Sequence, residues 1–189
     1  MNYHNITYPD MNNGTGLRVV LWLSGCSHHC KGCQNPQTWN PESGIEFDLT
    51  AKEEIFEQLS KDYISGITFS GGDPLHENNI NEVLNLISEI CTTFPNKTIW
   101  LYTGYKIEEI SFCRAMHDFV KGDCNFQKAL DNEEKNLIRQ MIISQCDVLV
   151  DGRYEEDKRS PNLPWVGSSN QRVIDVQKSL KEGKVILWE

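Results

Sequence analysis

The chain has 189 residues, a length that suits a single domain with a full hydrophobic core. Its 18 Lys and Arg residues against 27 Asp and Glu residues give a net charge of -9, which disfavours nucleic acid as a partner because polyanions bind to positive surfaces. The apolar runs are far shorter than the roughly 20 residues that span a bilayer, and the N-terminus lacks the features of a secretory signal. We therefore expect a cytoplasmic protein that is not bound to a membrane.

Strands and helices are predicted to alternate along the chain. The apolar run at residues 17–23 predicts a buried strand that ends at Ser24-Gly25. Thr50 and Glu53 have the spacing of a capping box at the start of a helix. Further predicted strands are residues 66–70, 98–103, 147–150, 172–176 and 184–188. The other predicted helices are residues 79–91 and a segment marked by Leu137, Ile138, Met141 and Ile142, with Asp131 and Glu134 before it at capping-box spacing.

This alternation predicts an α/β fold with parallel strands and right-handed crossovers. Four clear strand units and two strands at the C-terminal end are too few for a complete eight-stranded barrel of about 250 residues. We therefore predict a partial, open parallel β/α barrel or sheet, with residues 1–189 forming one domain.

Three closely spaced cysteines, Cys26, Cys30 and Cys33, follow the first predicted strand. An iron–sulfur cluster with four irons normally takes four cysteine thiolates, so three would leave one iron free to bind another molecule. Two other interpretations stay open at this point. The spacing also fits one face of a helix, although Gly25, Gly32 and Pro36 favour a loop, and a histidine could complete a structural zinc site. The histidines available for that site are His28 and His29.

The other four cysteines do not suggest a second cluster. Cys91 lies on the apolar stripe of a predicted helix and Cys146 adjoins a predicted strand, so both are predicted to be core residues. Cys113 and Cys124 are eleven residues apart and have no close cysteine partner, whereas clusters usually use closely spaced cysteines.

Three further loops are predicted to meet the cysteine loop, because ligands of parallel α/β folds bind at the C-terminal ends of the strands. These loops are Gly71-Gly72-Asp73-Pro74, Thr103-Gly104-Tyr105 and Asp151-Gly152-Arg153. Gly71 and Gly72 allow a ligand to approach the backbone, and the Asp73 carboxylate could accept from an ammonium group. The same four residues also fit an ordinary turn. Beside a cluster that lacks one ligand, they suggest a molecule that carries an amine and chelates iron.

S-adenosylmethionine has these properties, and with this combination of motifs the chain resembles the radical S-adenosylmethionine superfamily. Within it, the chain is similar to the activating enzymes of anaerobic ribonucleoside-triphosphate reductases. The resemblance rests on the cysteine loop through Trp39 and on residues 13–18, 70–75, 100–105, 147–152 and 165–171.

The resemblance implies an oxidoreductase with two cofactors, a [4Fe-4S] cluster held by Cys26, Cys30 and Cys33 and S-adenosylmethionine. It also implies that reductive cleavage of S-adenosylmethionine gives methionine and a 5'-deoxyadenosyl radical, which takes a hydrogen atom from a glycine of the reductase. The implied partners are this glycine-bearing segment and an electron donor such as a flavodoxin. The residues implied to line S-adenosylmethionine are Gly32, Cys33, Gln34, Gly71, Gly72 and Asp73.

Two alternative functions stay open, and one segment of the chain departs from the family pattern. An activator of another glycyl-radical enzyme, such as pyruvate formate-lyase, would share the cofactors, and a zinc-stabilised interaction module would have no catalysis.

Loops 151–153 and 167–172 could receive the partner's glycine or be surface turns, and His28 is interpreted as a neighbour of the cluster. An insertion at about residues 111–130, with His117 in it, matches no family motif.

Overall fold

The computed structural model describes residues 1–110 and 126–189, which form an α/β fold around a mixed sheet of seven strands. In the order of the chain these are β1 (Asn2–Asp10), β2 (Leu17–Leu23), β3 (Ile45–Glu46), β4 (Ile64–Gly71), β5 (Thr98–Tyr102), β6 (Val148–Asp151) and β7 (Arg172–Asp175). Their order across the sheet is β3-β1-β2-β4-β5-β6-β7. Strands β2, β4, β5 and β6 are parallel, and the remaining three pair antiparallel at the two sides. The α/β class and the four central strands were correctly predicted.

Four α-helices accompany the sheet in the described residues: α1 (Leu49–Leu59), α2 (Ile80–Thr93), α3 (Phe126–Ser144) and α4 (Val176–Glu182). The capping box predicted at Thr50 is wrong, because the Asp48 carboxylate caps α1 by accepting from the Ala51 N–H at 2.9 Å. The capping box predicted at Asp131 is also wrong, because α3 already begins at Phe126.

The apolar stripe of α3 differs in part from the predicted one. Leu137 and Met141 are 51% and 46% exposed, whereas Ile142 and Ile143 are buried. The helix therefore turns a face toward the sheet that is rotated from the predicted stripe. The residues that precede α3, 111–125, lie outside the described part of the chain, and with them lie Cys113, His117 and Cys124 of the predicted insertion.

The two sides of the sheet were predicted less well than its centre. Strands β1 and β3 were missed, because their residues are intermediate or exposed and form no continuous apolar run. Of the two strands predicted near the C-terminus, the first is β7, which is antiparallel to β6. The second is not a strand in the structure, since residues 184–188 contact β7 through one bridge between Ile174 and Leu187.

The core lies between the parallel strands and the helices that follow them. Val19, Leu21, Ile67 and Phe69 point to the same face of the sheet and are completely buried against residues of the helices. Cys146 is also fully buried, and Cys91 packs partly buried against the same core. No helix in residues 1–110 or 126–189 has both the length and the apolar character of a membrane span.

A buried arginine connects three of the central strands. Arg18 of β2 is fully buried, and its guanidinium lies 5.5 Å from the ring centre of Trp100. It donates to the Thr68 hydroxyl at 2.7 Å and to carbonyl and hydroxyl oxygens of Thr15, Ile67 and Thr98 at 2.6–3.1 Å. Burial lowers the pKa of Arg18 to about 10. The guanidinium therefore satisfies backbone carbonyls on which the packing of β2, β4 and β5 depends.

We expect Arg18→Met to lower the free energy of unfolding by about 3 kcal/mol, because methionine leaves the buried carbonyls of Ile67 and Thr98 without these donors. Urea unfolding of the two proteins measures the difference. Arg159→Met is the matched control, since this arginine side chain is 64% exposed, and a surface substitution typically changes stability by less than about 0.5 kcal/mol. An equal decrease of the free energy of unfolding in both variants would contradict the role assigned to Arg18.

Candidate functional site

A cavity of about 500 Å³ opens at the C-terminal ends of the parallel strands. Its volume lies in the range of about 300–1,000 Å³ that is typical of small-molecule sites. The loops after β2, β4, β5 and β6 all contribute to its wall, as the strand order predicted. The residues that line it from these loops include Cys26, His28, Cys30, Cys33, Gln34, Gly72, Asp73, Thr103, Gly104, Gly152 and Tyr154.

The cysteine loop is held in a non-helical conformation by backbone hydrogen bonds on two sides. Gly25 and Cys26 donate to the carbonyls of Thr38 and Trp39 at 2.7 and 3.0 Å. On the other side, the Gly25 carbonyl accepts from the Asp73 N–H at 2.7 Å. The interpretation of the three cysteines as one face of a packed helix is therefore wrong, and their side chains border the cavity instead.

The three cysteines of this loop are partly exposed, and their thiols form no disulfide in the described part of the chain. Burial raises the pKa of Cys26 to about 11 and also raises the pKa of Cys30. The Cys33 sulfur accepts from the Asn35 N–H at 3.4 Å. Cys26 and Cys30 therefore carry protons at neutral pH until a metal group displaces them, because only the thiolate is a metal ligand.

Both histidines of the loop form hydrogen bonds, His28 to other parts of the protein and His29 within the loop. His28 contacts the Asp73 carboxylate through Nε2 at 2.7 Å and the Arg153 Nε through Nδ1 at 3.1 Å. His29 contacts the Ser27 carbonyl through Nδ1 at 3.1 Å. Within the described residues, no group of three or more His, Cys, Asp and Glu side chains is arranged to hold a single metal ion. Because both ring nitrogens of His28 are engaged, this geometry disfavours His28 as the fourth ligand of zinc.

Asp73 is the acceptor at which the loops converge. Its carboxylate is buried and accepts from the Leu75 N–H at 2.8 Å, the Thr103 hydroxyl at 2.9 and 3.0 Å, and the Gly104 N–H at 3.0 Å. With His28, four groups of the protein donate to it. Asp73 therefore orders the cavity wall at the ends of β4 and β5.

The glycines predicted to line the site have different positions. Gly71 and Gly72 border the cavity, and a Cβ on Gly72 would lie only 2.6 Å from the Gly25 carbonyl oxygen. Only glycine fits here without moving the cysteine loop. Gly32 is exposed and is absent from the cavity wall, and a Cβ there would collide with the Glu156 carboxylate. Gly32 thus gives the loop after β6 close access to the cysteine loop.

Comparisons with known proteins agree with this arrangement. Residues 12–174 match the family model described as a 4Fe-4S single cluster domain. The chain is 40% identical to the anaerobic ribonucleoside-triphosphate reductase-activating protein of Enterobacteria phage T4, over 92% of this chain and 93% of the relative. It is 37% identical to the protein of the same name from Escherichia coli K12, over 92% and 97% of the two chains, and 36% identical to that of Vibrio cholerae, over 90% and 96%. The chain belongs to the family of anaerobic ribonucleoside-triphosphate reductase-activating proteins.

In this member of the reductase-activating family, all residues that line the cavity lie between Asn12 and Gln171, inside the part that matches the iron–sulfur family model. The three thiols on one wall fit the chemistry of a cluster, whose irons take thiolate ligands. Tyr102 also lines the cavity, and its buried hydroxyl has no hydrogen-bond partner among the described residues.

Several residues of the site were not among those predicted to line it. Four residues line the cavity without lying in a loop that follows a parallel strand. Asn12 and Asn13 precede β2, Trp22 lies within it, and Tyr102 is the last residue of β5. Asn79 contributes from outside it, since its Nδ2 donates to the carbonyls of Ser24 and Asp73 at 2.7 and 3.0 Å. No spacing rule identifies such residues, because their roles depend on contacts between segments that are distant in sequence.

Proposed function

We propose that this chain activates an anaerobic ribonucleoside-triphosphate reductase by generating a glycyl radical on it, in an open β/α barrel of the radical S-adenosylmethionine type. One observation carries the proposal: the three thiols of the cysteine loop border the same cavity as Gly71, Gly72 and Asp73. The names of the relatives support the choice of the reductase as the target.

Within this proposal, Cys26, Cys30 and Cys33 would hold a [4Fe-4S] cluster. Gln34, Gly71, Gly72 and Asp73, which border the cavity, would line S-adenosylmethionine together with Cys33. Gly32, which was also predicted to line it, lies outside the cavity wall. When bound, the cluster supplies an electron for reductive cleavage of S-adenosylmethionine to methionine and a 5'-deoxyadenosyl radical, which takes a hydrogen atom from a glycine of the reductase. The protein's part is to bind, orient and shield these groups.

The walls of the cavity suit the shielding role. Trp22, Leu163, Trp165 and Val166 add large apolar surfaces to its lining. Trp165 in turn packs edge-on against the buried Trp100, with ring centres 5.2 Å apart. Such a lining limits the access of water and of other hydrogen donors to a reactive radical.

The loops after β6 form the part of the cavity wall where the partner's glycine-bearing segment would bind. The Gln171 amide oxygen accepts from the N–H groups of Gly167 and Ser168 at 2.9 and 3.2 Å. Its amide nitrogen donates to the Gly152 carbonyl at 2.9 Å. This side chain therefore joins two glycine-containing loops at the cavity, where the backbone of the partner's glycine segment would approach closely.

The proposal predicts that protein purified without oxygen and loaded with iron and sulfide is brown and contains about four irons per chain. With a reductant, or a flavodoxin as electron donor, it should convert S-adenosylmethionine to 5'-deoxyadenosine. Adding an anaerobic ribonucleoside-triphosphate reductase should then give a glycyl radical in electron paramagnetic resonance (EPR) spectra.

The same experiment distinguishes the competing functions. A colourless protein with one stoichiometric zinc would contradict radical chemistry and favour an interaction module. A radical on pyruvate formate-lyase, with none on the reductase, would reassign the partner and leave the cofactor proposal intact.

A further inference from the structure

His28 lies at the junction of the four loops that surround the cavity. Its side chain is only 4% exposed, although it belongs to a surface loop. The ring packs edge-on against Tyr105, with ring centres 4.6 Å apart. A Cβ on Gly104 would collide with the ring of His28, so only glycine at this position lets the imidazole occupy its place.

The two ring nitrogens of His28 connect opposite sides of the site. Nε2 lies 2.7 Å from the buried Asp73 carboxylate after β4, and Nδ1 lies 3.1 Å from the Nε of Arg153 after β6. Because the Nε–H of arginine can only donate, Nδ1 is the acceptor of that bond. Nε2 then carries the proton that is donated to Asp73. One imidazole therefore ties the cysteine loop to the loops after β4 and β6.

The Asp73 carboxylate extends this connection from His28 to the loop after β5. The Asp73 carboxylate that accepts from His28 also accepts from Thr103 and Gly104 after β5. His28 thus reaches the ends of all four parallel strands through direct contacts or through Asp73. In sequence it stands between Cys26 and Cys30, so its contacts anchor the same loop from which these two thiols project.

We propose that His28 is a positioning residue, which sets the direction of the Cys26 and Cys30 thiols by anchoring the cysteine loop to Asp73 and Arg153. This inference rests on the proposed function in one respect, that these thiols hold a cluster. Groups that orient metal ligands typically change metal affinity by about 10–100-fold when they are removed. The imidazole of His28 acts through the loop and donates no ligand of its own.

The test is the rate at which a chelator removes iron from the full-length, iron-loaded protein without oxygen. We expect His28→Leu to release iron about tenfold faster than the wild type and to change the EPR line shape of the reduced cluster. His28→Gln should recover much of the difference, because its amide can donate to Asp73. His29→Asn is the matched control in the same loop and should behave as the wild type, since His29 is exposed and asparagine tolerates its positive φ of 47°.

Arg153→Met gives a second, independent measurement that does not depend on a buried substitution. The Arg153 side chain is 54% exposed, and methionine preserves its length but removes the donor to Nδ1. We expect a smaller acceleration of iron release in the same direction. Release at the wild-type rate in both His28→Leu and Arg153→Met would overturn the role of His28. A wild-type protein that binds no iron would instead contradict the proposed function.

Discussion

Replacing Cys30 by alanine is expected to abolish iron binding and the formation of 5'-deoxyadenosine. The variant keeps only two of the three thiols that border the cavity, which is too few to hold a cluster that normally takes four thiolate ligands. Iron content after anaerobic reconstitution should fall from about four per chain to near zero. The assay with reductant and S-adenosylmethionine should give no product above background.

The matched control for this prediction is Cys91→Ala. Cys91 lies on α2, has a free thiol and packs against the core, and it is not part of the cavity wall. Iron content and turnover should be unchanged in this variant, and we expect the same for Cys113→Ala and Cys124→Ala. Loss of the cluster in any of the three would show that the set of ligands assigned here is incomplete.

Asp73→Asn is expected to lower the free energy of unfolding and to weaken the binding of S-adenosylmethionine, although it changes the shape of the side chain very little. One carboxylate oxygen accepts from the Leu75 N–H, and the other accepts from the Gly104 N–H and from His28. An asparagine amide must place its NH₂ group against one of these donors, whichever way it is turned. A buried N–H group without an acceptor costs about 1–3 kcal/mol.

Urea unfolding of the metal-free chain should therefore show a loss of about 2–3 kcal/mol in Asp73→Asn. S-adenosylmethionine binding to the iron-loaded variant should weaken by at least about tenfold, because Asp73 joins the loops that would line it. Asp62→Asn is the control, since Asp62 is exposed and is not part of the cavity wall. A variant as stable and as tightly binding as Asp62→Asn would refute the central role given to Asp73.

The parallel centre of the fold was predictable because three of its four strands, β2, β5 and β6, carry a continuous apolar run in the sequence. In β2, for example, Val19, Val20 and Leu21 are all fully buried, so neighbouring side chains on both faces of the strand are apolar. Strands β1 and β3 carry no such run, since they lie toward one side of the sheet and face the solvent in part. The start of α1 was misplaced because Asp48 and Thr50 are both good caps, and local sequence does not decide between them.

The site was predictable only where it follows directly from a strand end. Cys26, Gly72 and Asp73 immediately follow predicted strands, and the rule for parallel sheets is enough to bring them together. The partners of His28 are 45 and 125 residues away in the chain, and those of Asn79 include a carbonyl 55 residues away. Such contacts depend on the three-dimensional arrangement of loops, which has no periodic signal in the sequence.

The hydrogen bonds on both sides of Gly25 and Cys26 couple the cysteine loop to two other segments. Its backbone is held by the carbonyls of Thr38 and Trp39 on one side and by the Asp73 N–H on the other. A substitution that displaces either segment would therefore also displace the backbone that carries Cys26, even where the substituted residue lies outside the cavity wall.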